Sequence, residues 1–185
     1  MRPTPITTGP RCWPRWDASR AGRSWTQPAA PACTCANCSS GEPLPYPDGA
    51  FDLIVCALAI HYASNRAAAF AEFCRVLRPG GAAVVSTQHP VMDWLRKGGS
   101  YFQTTLETDV WNMPTEEQPV HFWREPLSAL CGAATDAGFL IERLIEPVPA
   151  ETMRQRYPKD YEQLSKEPGF LILRLLKPAR PIPVI

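Results

Sequence analysis

The sequence has little net charge, no long apolar run, and almost no aliphatic side chains near its N-terminus. Its 185 residues carry a formal net charge of +1, which favours neither a nucleic-acid polyanion nor an anionic membrane surface as partner. No apolar stretch approaches the roughly 20 residues that a membrane-spanning helix requires. The N-terminal arginines precede no apolar run, so no secretory signal is predicted. We therefore expect a cytoplasmic protein with no nucleic-acid or membrane partner.

Residues 1–41 differ in composition from the rest of the chain. Ile6 is their only Leu, Ile or Val, and Asp17 is their only acidic residue. Prolines, arginines and tryptophans without a helix or strand period cannot enclose a core, because apolar burial must offset the entropy lost on folding. We predict an irregular or disordered segment here.

Four of the seven cysteines lie in this segment. Cys33, Cys35 and Cys38, with Cys12 as a fourth, would supply the number of thiolates that a tetrahedral zinc site requires. Their spacing is not that of paired CxxC motifs, and no second pair follows. Incidental cysteines are the favoured interpretation, so we predict no metal site, and a zinc-dependent interaction module stays open as an alternative.

A strand, a helix and a second strand follow one another in the patterned part of the chain. Phe51–Ala57 is almost continuously apolar, as in a strand that is covered on both faces of a parallel sheet. Ser64 or Asn65 can cap the following helix, Pro79 ends it, and two glycines allow a turn into the strand Ala82–Thr87. Ligands of such βαβ sheets bind at the carboxyl ends of the strands.

Two stretches of this unit resemble class I S-adenosylmethionine-dependent methyltransferases of the type 11 group. Residues 44–54 read LPYPDGAFDLI and are similar to the LPFPDGSFDLV segment of that family. Residues 77–81 read LRPGG, like a turn of the same family, and the two stretches occur in the family's order. The resemblance covers residues 42–178, with 179–185 as a tail. It implies that Phe51–Ala57 is the fourth strand of the fold and Ala82–Thr87 the fifth.

The downstream pattern completes a partial sheet. It predicts a helix over Arg124–Gly138, a strand over Phe139–Ile145, a surface helix over Met153–Lys166 and a strand over Phe170–Leu176. The resemblance implies an α/β fold, part of the Rossmann-like methyltransferase fold. In the family order 3-2-1-4-5-7-6 this chain would supply strands 4-5-7-6, with the last strand of the chain antiparallel. The fourth strand would then lack its usual neighbour, and an open apolar edge favours self-association.

The resemblance also implies a cofactor, S-adenosyl-L-methionine, and a small-molecule methyl acceptor. In the family a GxGxG turn holds the amino-acid end of the cofactor, and an acid at the end of the second strand binds its ribose. Neither occurs in residues 1–41, which puts cofactor binding in doubt. The cofactor contacts that the resemblance implies are Ser40, Leu44, Ala57, Leu58, Ala59 and His61.

The change of composition near Gly41 suggests how this segment arose. We interpret residues 1–41 as a truncated or frame-shifted reading of a methyltransferase gene. Reading the upstream DNA in the other two frames tests this, because one frame should then encode a glycine-rich strand, turn and helix.

The segment between the fifth strand and the next helix is rich in aromatic residues. In the resembling subfamily it caps the substrate pocket, so we predict these acceptor contacts: Trp94, Tyr101, Phe102, Trp111 and Trp123. Covering the end of the sheet is the equal alternative.

Methyl transfer depends mainly on aligning the acceptor and excluding water. A base is needed only where the acceptor loses a proton, and the candidates are His61, His89 and His121. For each of them a purely structural role is the alternative. For the whole chain the alternative is a non-catalytic remnant that binds no cofactor.

Overall fold

The computed structural model describes Cys33–Thr34 (backbone only) and residues 43–112 and 117–180. Apart from Cys33 and Thr34, the predicted irregular segment lies outside these ranges, including Cys12, Cys35, Cys38 and Ser40, as do residues 181–185 of the predicted tail. The helices and strands, in chain order, are β1 Cys33–Thr34, β2 Phe51–Ala57, α1 Arg66–Val76, β3 Leu77–Gln88, α2 Pro90–Lys97, β4 Thr105–Asn112, β5 Glu117–Arg124, α3 Leu127–Asp136, β6 Leu140–Ile145, α4 Glu151–Arg156, α5 Pro158–Leu164 and β7 Phe170–Leu176.

The main sheet has five strands in the order β1-β2-β3-β7-β6. β2 and β3 are parallel, with Leu53 opposite Ala82 and Ala57 opposite Ser86. β7 runs antiparallel to both of its neighbours, β3 and β6. This confirms the predicted α/β fold with one antiparallel strand, because β2, β3, β7 and β6 occupy the places of family strands 4, 5, 7 and 6.

The short strand β1 corrects the expectation that β2 has an unpaired outer edge. Cys33 and Thr34 pair in parallel with Ile54 and Val55. In the family order the neighbour of the fourth strand is the first strand, so β1 takes that place over two residues. The rest of this edge of β2 has no strand partner in the described part of the chain. Self-association through it stays a prediction.

Helix α1 fills one face of the sheet with aromatic side chains. Phe70 and Phe73 are buried and meet edge to face, with ring centroids 6.0 Å apart. Leu130 and Ala134 of α3 belong to the same buried cluster. The predicted cap is confirmed, because the side chain of Asn65 accepts a hydrogen bond from an α1 backbone N–H at 2.9 Å.

The LRPGG stretch is part of a strand and not only a turn. β3 begins at Leu77, which lies opposite Phe51, while Ala82 already lies opposite Leu53. The chain bulges between these two pairs, where Gly80 has φ +81°. A Cβ on Gly81 would lie 2.9 Å from the carbonyl oxygen of Arg78, so glycine is required where the bulge passes its own backbone.

The aromatic segment after β3 has regular structure that the sequence did not predict. Helix α2 is followed by the hairpin of β4 and β5, which forms a separate antiparallel sheet. The predicted helix over Met153–Lys166 is two short helices, α4 and α5, divided where Pro158 follows Tyr157. α3 begins at Leu127 and not at Arg124, with Pro126 as its N-cap. No helix in the described ranges is both long enough and apolar enough to cross a membrane.

Candidate functional site

The chain turns sharply where it leaves β2. The backbone N–H of Leu58 lies 3.0 Å from the carbonyl oxygen of Ser86 and 3.1 Å from its hydroxyl. Leu58 adopts φ +51°, a left-handed conformation that is unfavourable for a residue with a branched side chain. Ala57 and Leu58 are exposed and Ala59 is half-buried. The carboxyl end of β2 therefore presents an open surface made of backbone and small side chains.

His61 lies in the short turn that follows. Its side chain is buried, its Nδ1 is 3.1 Å from the hydroxyl oxygen of Thr87, and its ring meets Phe122 edge to face. Burial, together with the nearby guanidinium of Arg66, lowers the pKa of His61 from 6.5 to about 4. The imidazole is therefore neutral at pH 7 and too weak a base to hold a proton there. This arrangement favours a structural role for His61 over the role of a catalytic base, the two alternatives that the sequence left open.

A buried ion pair fixes the other wall of the site. Arg66, the first residue of α1, lies 2.8 Å from a carboxylate oxygen of Glu125 and donates a hydrogen bond of 2.6 Å to the backbone carbonyl of Trp123. The Arg66 side chain is buried and that of Glu125 is 12% exposed. Loss of solvent lowers the pKa of Arg66 and raises that of Glu125, and their mutual attraction opposes both shifts. The pair connects α1 to the end of the hairpin.

A small, partly open cavity of about 10 Å³ lies between these groups. Its lining residues are His61, Arg66, Thr87, Gln88, Pro90, Asp93, Trp123, Glu125 and Leu130. Asp93 is 5% exposed. Burial raises its pKa to about 6, with Asp109 and Glu107 adding to the effect and Arg96 and Arg124 opposing it. The cavity is small, lined mainly by residues with polar side chains, and located beyond the carboxyl ends of β2 and β3.

The other candidate histidines lie elsewhere. His89 is buried, with Nε2 2.9 Å from Glu146, and its Nδ1 accepts a hydrogen bond from the N–H of Val91 at the start of α2. His121 is exposed on the hairpin, 2.9 Å from the hydroxyl of Thr108. Neither lines the cavity, and their catalytic role stays a prediction.

The predicted acceptor contacts are divided between two places. Trp94, Tyr101 and Phe102 form a chain of edge-to-face contacts beside α2, where the Tyr101 hydroxyl accepts a hydrogen bond from the first N–H of α3 at 2.9 Å. Trp111 is exposed on the hairpin. Of the five aromatic residues, Trp123 lines the cavity. The acceptor-binding role of all five residues stays a prediction, because their positions alone do not test it.

Of the predicted cofactor contacts, Ala57, Leu58, Ala59 and His61 come together at the end of β2. Leu44 does not join them, because its side chain is 8% exposed and belongs to the core, while its N–H donates to the carboxylate of Glu72 at 2.8 Å. Leu44 stays a predicted cofactor contact, and only its backbone could make that contact.

Five polar residues of the site were not predicted from the sequence: Arg66, Thr87, Gln88, Asp93 and Glu125. Thr87 could have been found, because it ends a predicted strand whose carboxyl end was already expected to face a ligand. The charged residues carry no such signal, since each resembles an ordinary surface charge near a helix terminus.

Part of the chain is similar to known methyltransferases. The family model described as a methyltransferase domain matches residues 17–85. Among curated proteins, the ubiquinone/menaquinone biosynthesis C-methyltransferase UbiE of Shewanella pealeana is 40% identical over 58 residues, which is 29% of this chain and 23% of that protein. The chain thus spans about a quarter of the length of this relative.

Solved structures share the fold over a longer range. An S-adenosylmethionine-dependent methyltransferase of Listeria monocytogenes superposes with a TM-score of 0.61 at 19% identity, covering 72% of this chain and 64% of the other. One from Mesorhizobium loti gives 0.52 at 22% identity, covering 72% and 65%. The fold is that of the class I methyltransferases. The chain thus shares this fold, and residues 17–85 are similar to the methyltransferase domain family.

Proposed function

We propose that this chain contributes to transfer of a methyl group from S-adenosyl-L-methionine to a small-molecule acceptor. The proposal rests on one observation, namely that an exposed strand end and a cavity lie next to each other at the same edge of the sheet. Ala57 and Leu58 are exposed at the carboxyl end of β2, and the cavity lies beyond the adjacent end of β3. Ligands of open α/β sheets bind at such strand ends.

The described residues fit one side of the proposed cofactor. Ala57 and Ala59 leave room for a flat ring against the backbone, and Leu58 offers an apolar side chain that is 44% exposed. When bound, the cofactor supplies a sulfonium methyl group that is open to attack by a nucleophilic atom. The residues of this chain would align the acceptor and exclude water, and His61 would keep the turn in place as a neutral ring.

A finer part of the proposal concerns affinity. The chain has no GxGxG motif. The backbone N–H groups with which that motif would hold the amino-acid end of the cofactor are therefore not supplied by it. We expect binding to be weak and the activity to be impaired. A non-catalytic remnant would bind no cofactor at all.

Calorimetric titration with S-adenosylmethionine tests the proposal. Ala57→Trp would place a bulky ring at the exposed end of β2 and should abolish binding. Ala67→Trp is the matched control, because Ala67 is exposed on α1 and should tolerate the same change. Binding that survives Ala57→Trp unchanged, or no binding by the unaltered chain, would contradict the proposal.

A further inference from the structure

The cavity is lined by hydrogen-bond acceptors that lack donors. Gln88 Oε1 and Glu125 Oε1 are buried and have no hydrogen-bond partner among the described residues. The carboxylate of Asp93 receives no hydrogen bond from the described part of the chain either, although Asp93 is 95% buried. Buried polar atoms are nearly always paired in folded proteins, so two unpartnered acceptors and the Asp93 carboxylate on residues that line one cavity indicate that a donor belongs there.

The cations near the cavity are already engaged. Arg66 is held by Glu125 and Trp123 at 2.8 and 2.6 Å. His61 is neutral at pH 7, because burial lowers its pKa to about 4. These groups leave no positive charge in the cavity for the carboxylate of Asp93.

The cations on the neighbouring elements have carboxylate partners of their own. Arg96 and Lys97 of α2 contact Asp109 at 3.1 and 2.5 Å, and Arg124 of β5 contacts Glu107 at 2.9 Å. Their attraction to Asp93 does not outweigh the cost of its burial, which raises the pKa of this carboxyl to about 6. A cation that entered the cavity would therefore stabilise the ionised form of Asp93.

We infer that this cavity binds the primary ammonium group of a small molecule. An ammonium group brings three N–H donors and one positive charge, which match the acceptors of Gln88, Asp93 and Glu125. The inference deepens the proposed function and rests on it in one respect, namely that this molecule would be the methyl acceptor.

The size of the cavity limits how much of the molecule it holds. Sites that enclose a whole ligand have volumes of about 300–1,000 Å³, whereas this cavity has about 10 Å³, which is room for one group the size of a water molecule or an ammonium group. The ammonium end would be enclosed and the rest of the molecule would extend through the mouth. A single water molecule is the competing occupant, but its two O–H donors would leave one acceptor unpaired and the carboxylate uncompensated.

Titration of the whole chain with ethylammonium, followed by amide NMR shifts without any cofactor, tests the inference. Saturable shifts at the residues around Asp93 are expected, together with a fall in the pKa of its carboxyl. Tetramethylammonium has the same charge but no N–H donor, and it should not compete. Equal binding of both cations, or no saturation with ethylammonium, would overturn the inference in favour of nonspecific attraction or a bound water.

Two variants and a control locate the site. Asp93→Asn and Gln88→Leu should each weaken ethylammonium binding, the former by about tenfold or more because it removes a charge-assisted hydrogen bond. Asp160→Asn removes an exposed carboxylate on α5 and should change nothing. If Asp93→Asn does not fold, Gln88→Leu decides. Unchanged affinity in the folded variants would overturn the inference.

The outcome is separate from that of the proposed function. The titration contains no S-adenosylmethionine, so failure of ethylammonium binding leaves a positive cofactor titration standing. Conversely, ethylammonium binding without cofactor binding would support the amine site and contradict methyl transfer.

Discussion

His61 Nδ1 lies 3.1 Å from the hydroxyl oxygen of Thr87. This contact joins the turn after β2 to the end of β3, where the two parallel strands open toward the cavity. Both residues are at least 95% buried, so removing one partner leaves the other polar group with little access to water. The contact therefore ties the shape of the candidate site to the stability of the sheet.

Thr87→Val should destabilise the protein by about 1–3 kcal/mol, because it leaves the His61 ring without its buried partner. The free energy of unfolding in urea measures this. Thr104→Val is the control, since Thr104 is exposed and surface changes usually stay within about 0.5 kcal/mol. Equal effects of the two substitutions would show that the buried hydrogen bond contributes nothing specific.

The lowered pKa of His61 makes stability depend on pH. The folded state has a pKa of about 4 at this residue against the usual 6.5, so between these values the unfolded chain binds more protons. The contribution is fully present above pH 6.5 and is lost as the pH falls toward 4, with a slope of at most about 1.4 kcal/mol per pH unit.

Asp93 acts in the opposite sense over part of this range, because its folded pKa is raised from 3.8 to about 6. Comparison with His61→Gln therefore isolates the histidine. Urea unfolding at pH 4.5 and 7.0 should show the wild-type chain losing more stability than the variant on acidification. A parallel loss in both proteins would contradict the assigned shift.

The ion pair of Arg66 and Glu125 should couple strongly in a double-mutant cycle. Arg66→Met alone should cost about 3–5 kcal/mol, because it leaves the Glu125 carboxylate buried without its cation. Adding Glu125→Leu should recover much of this loss, since both charges are then absent. Additive single effects, measured by urea unfolding, would mean that the two residues act independently.

The backbone of Leu58 should favour glycine. At φ +51° a side chain is strained, so Leu58→Gly should be about 0.5–1 kcal/mol more stable than Leu58→Ala, which removes the same side chain beyond Cβ. Thermal unfolding of the two variants measures the difference. If the alanine variant is the more stable of the two, the turn is not strained.

The sequence predicted the elements whose side chains are apolar on both faces. β2 and β7 have the predicted bounds, Phe51–Ala57 and Phe170–Leu176, because dense aliphatic residues define a strand buried between layers. The hairpin was missed for the opposite reason. Its inward face holds Glu107 and Asp109, which pair with cations of β5 and α2. Because charged residues occupy this face, the sequence shows no alternation of apolar and polar residues that would predict a strand.

The site was only half predictable. Ala57, Ala59 and His61 follow a strand end, and that position is readable from local sequence. The burial of Arg66 depends on the carbonyl of Trp123, which lies 57 residues further along the chain. No local pattern records a contact of that kind, so the polar walls of the cavity appear only in the folded structure.

The central claim is that the end of β2 is the cofactor side of a methyltransferase site. The most direct measurement is an amide NMR titration of the chain with S-adenosylhomocysteine, the product that remains after methyl transfer. The account predicts saturable shifts concentrated at Ala57, Leu58 and Ala59, with smaller ones at His61. Shifts confined to other parts of the chain, or none at saturating ligand, would contradict it.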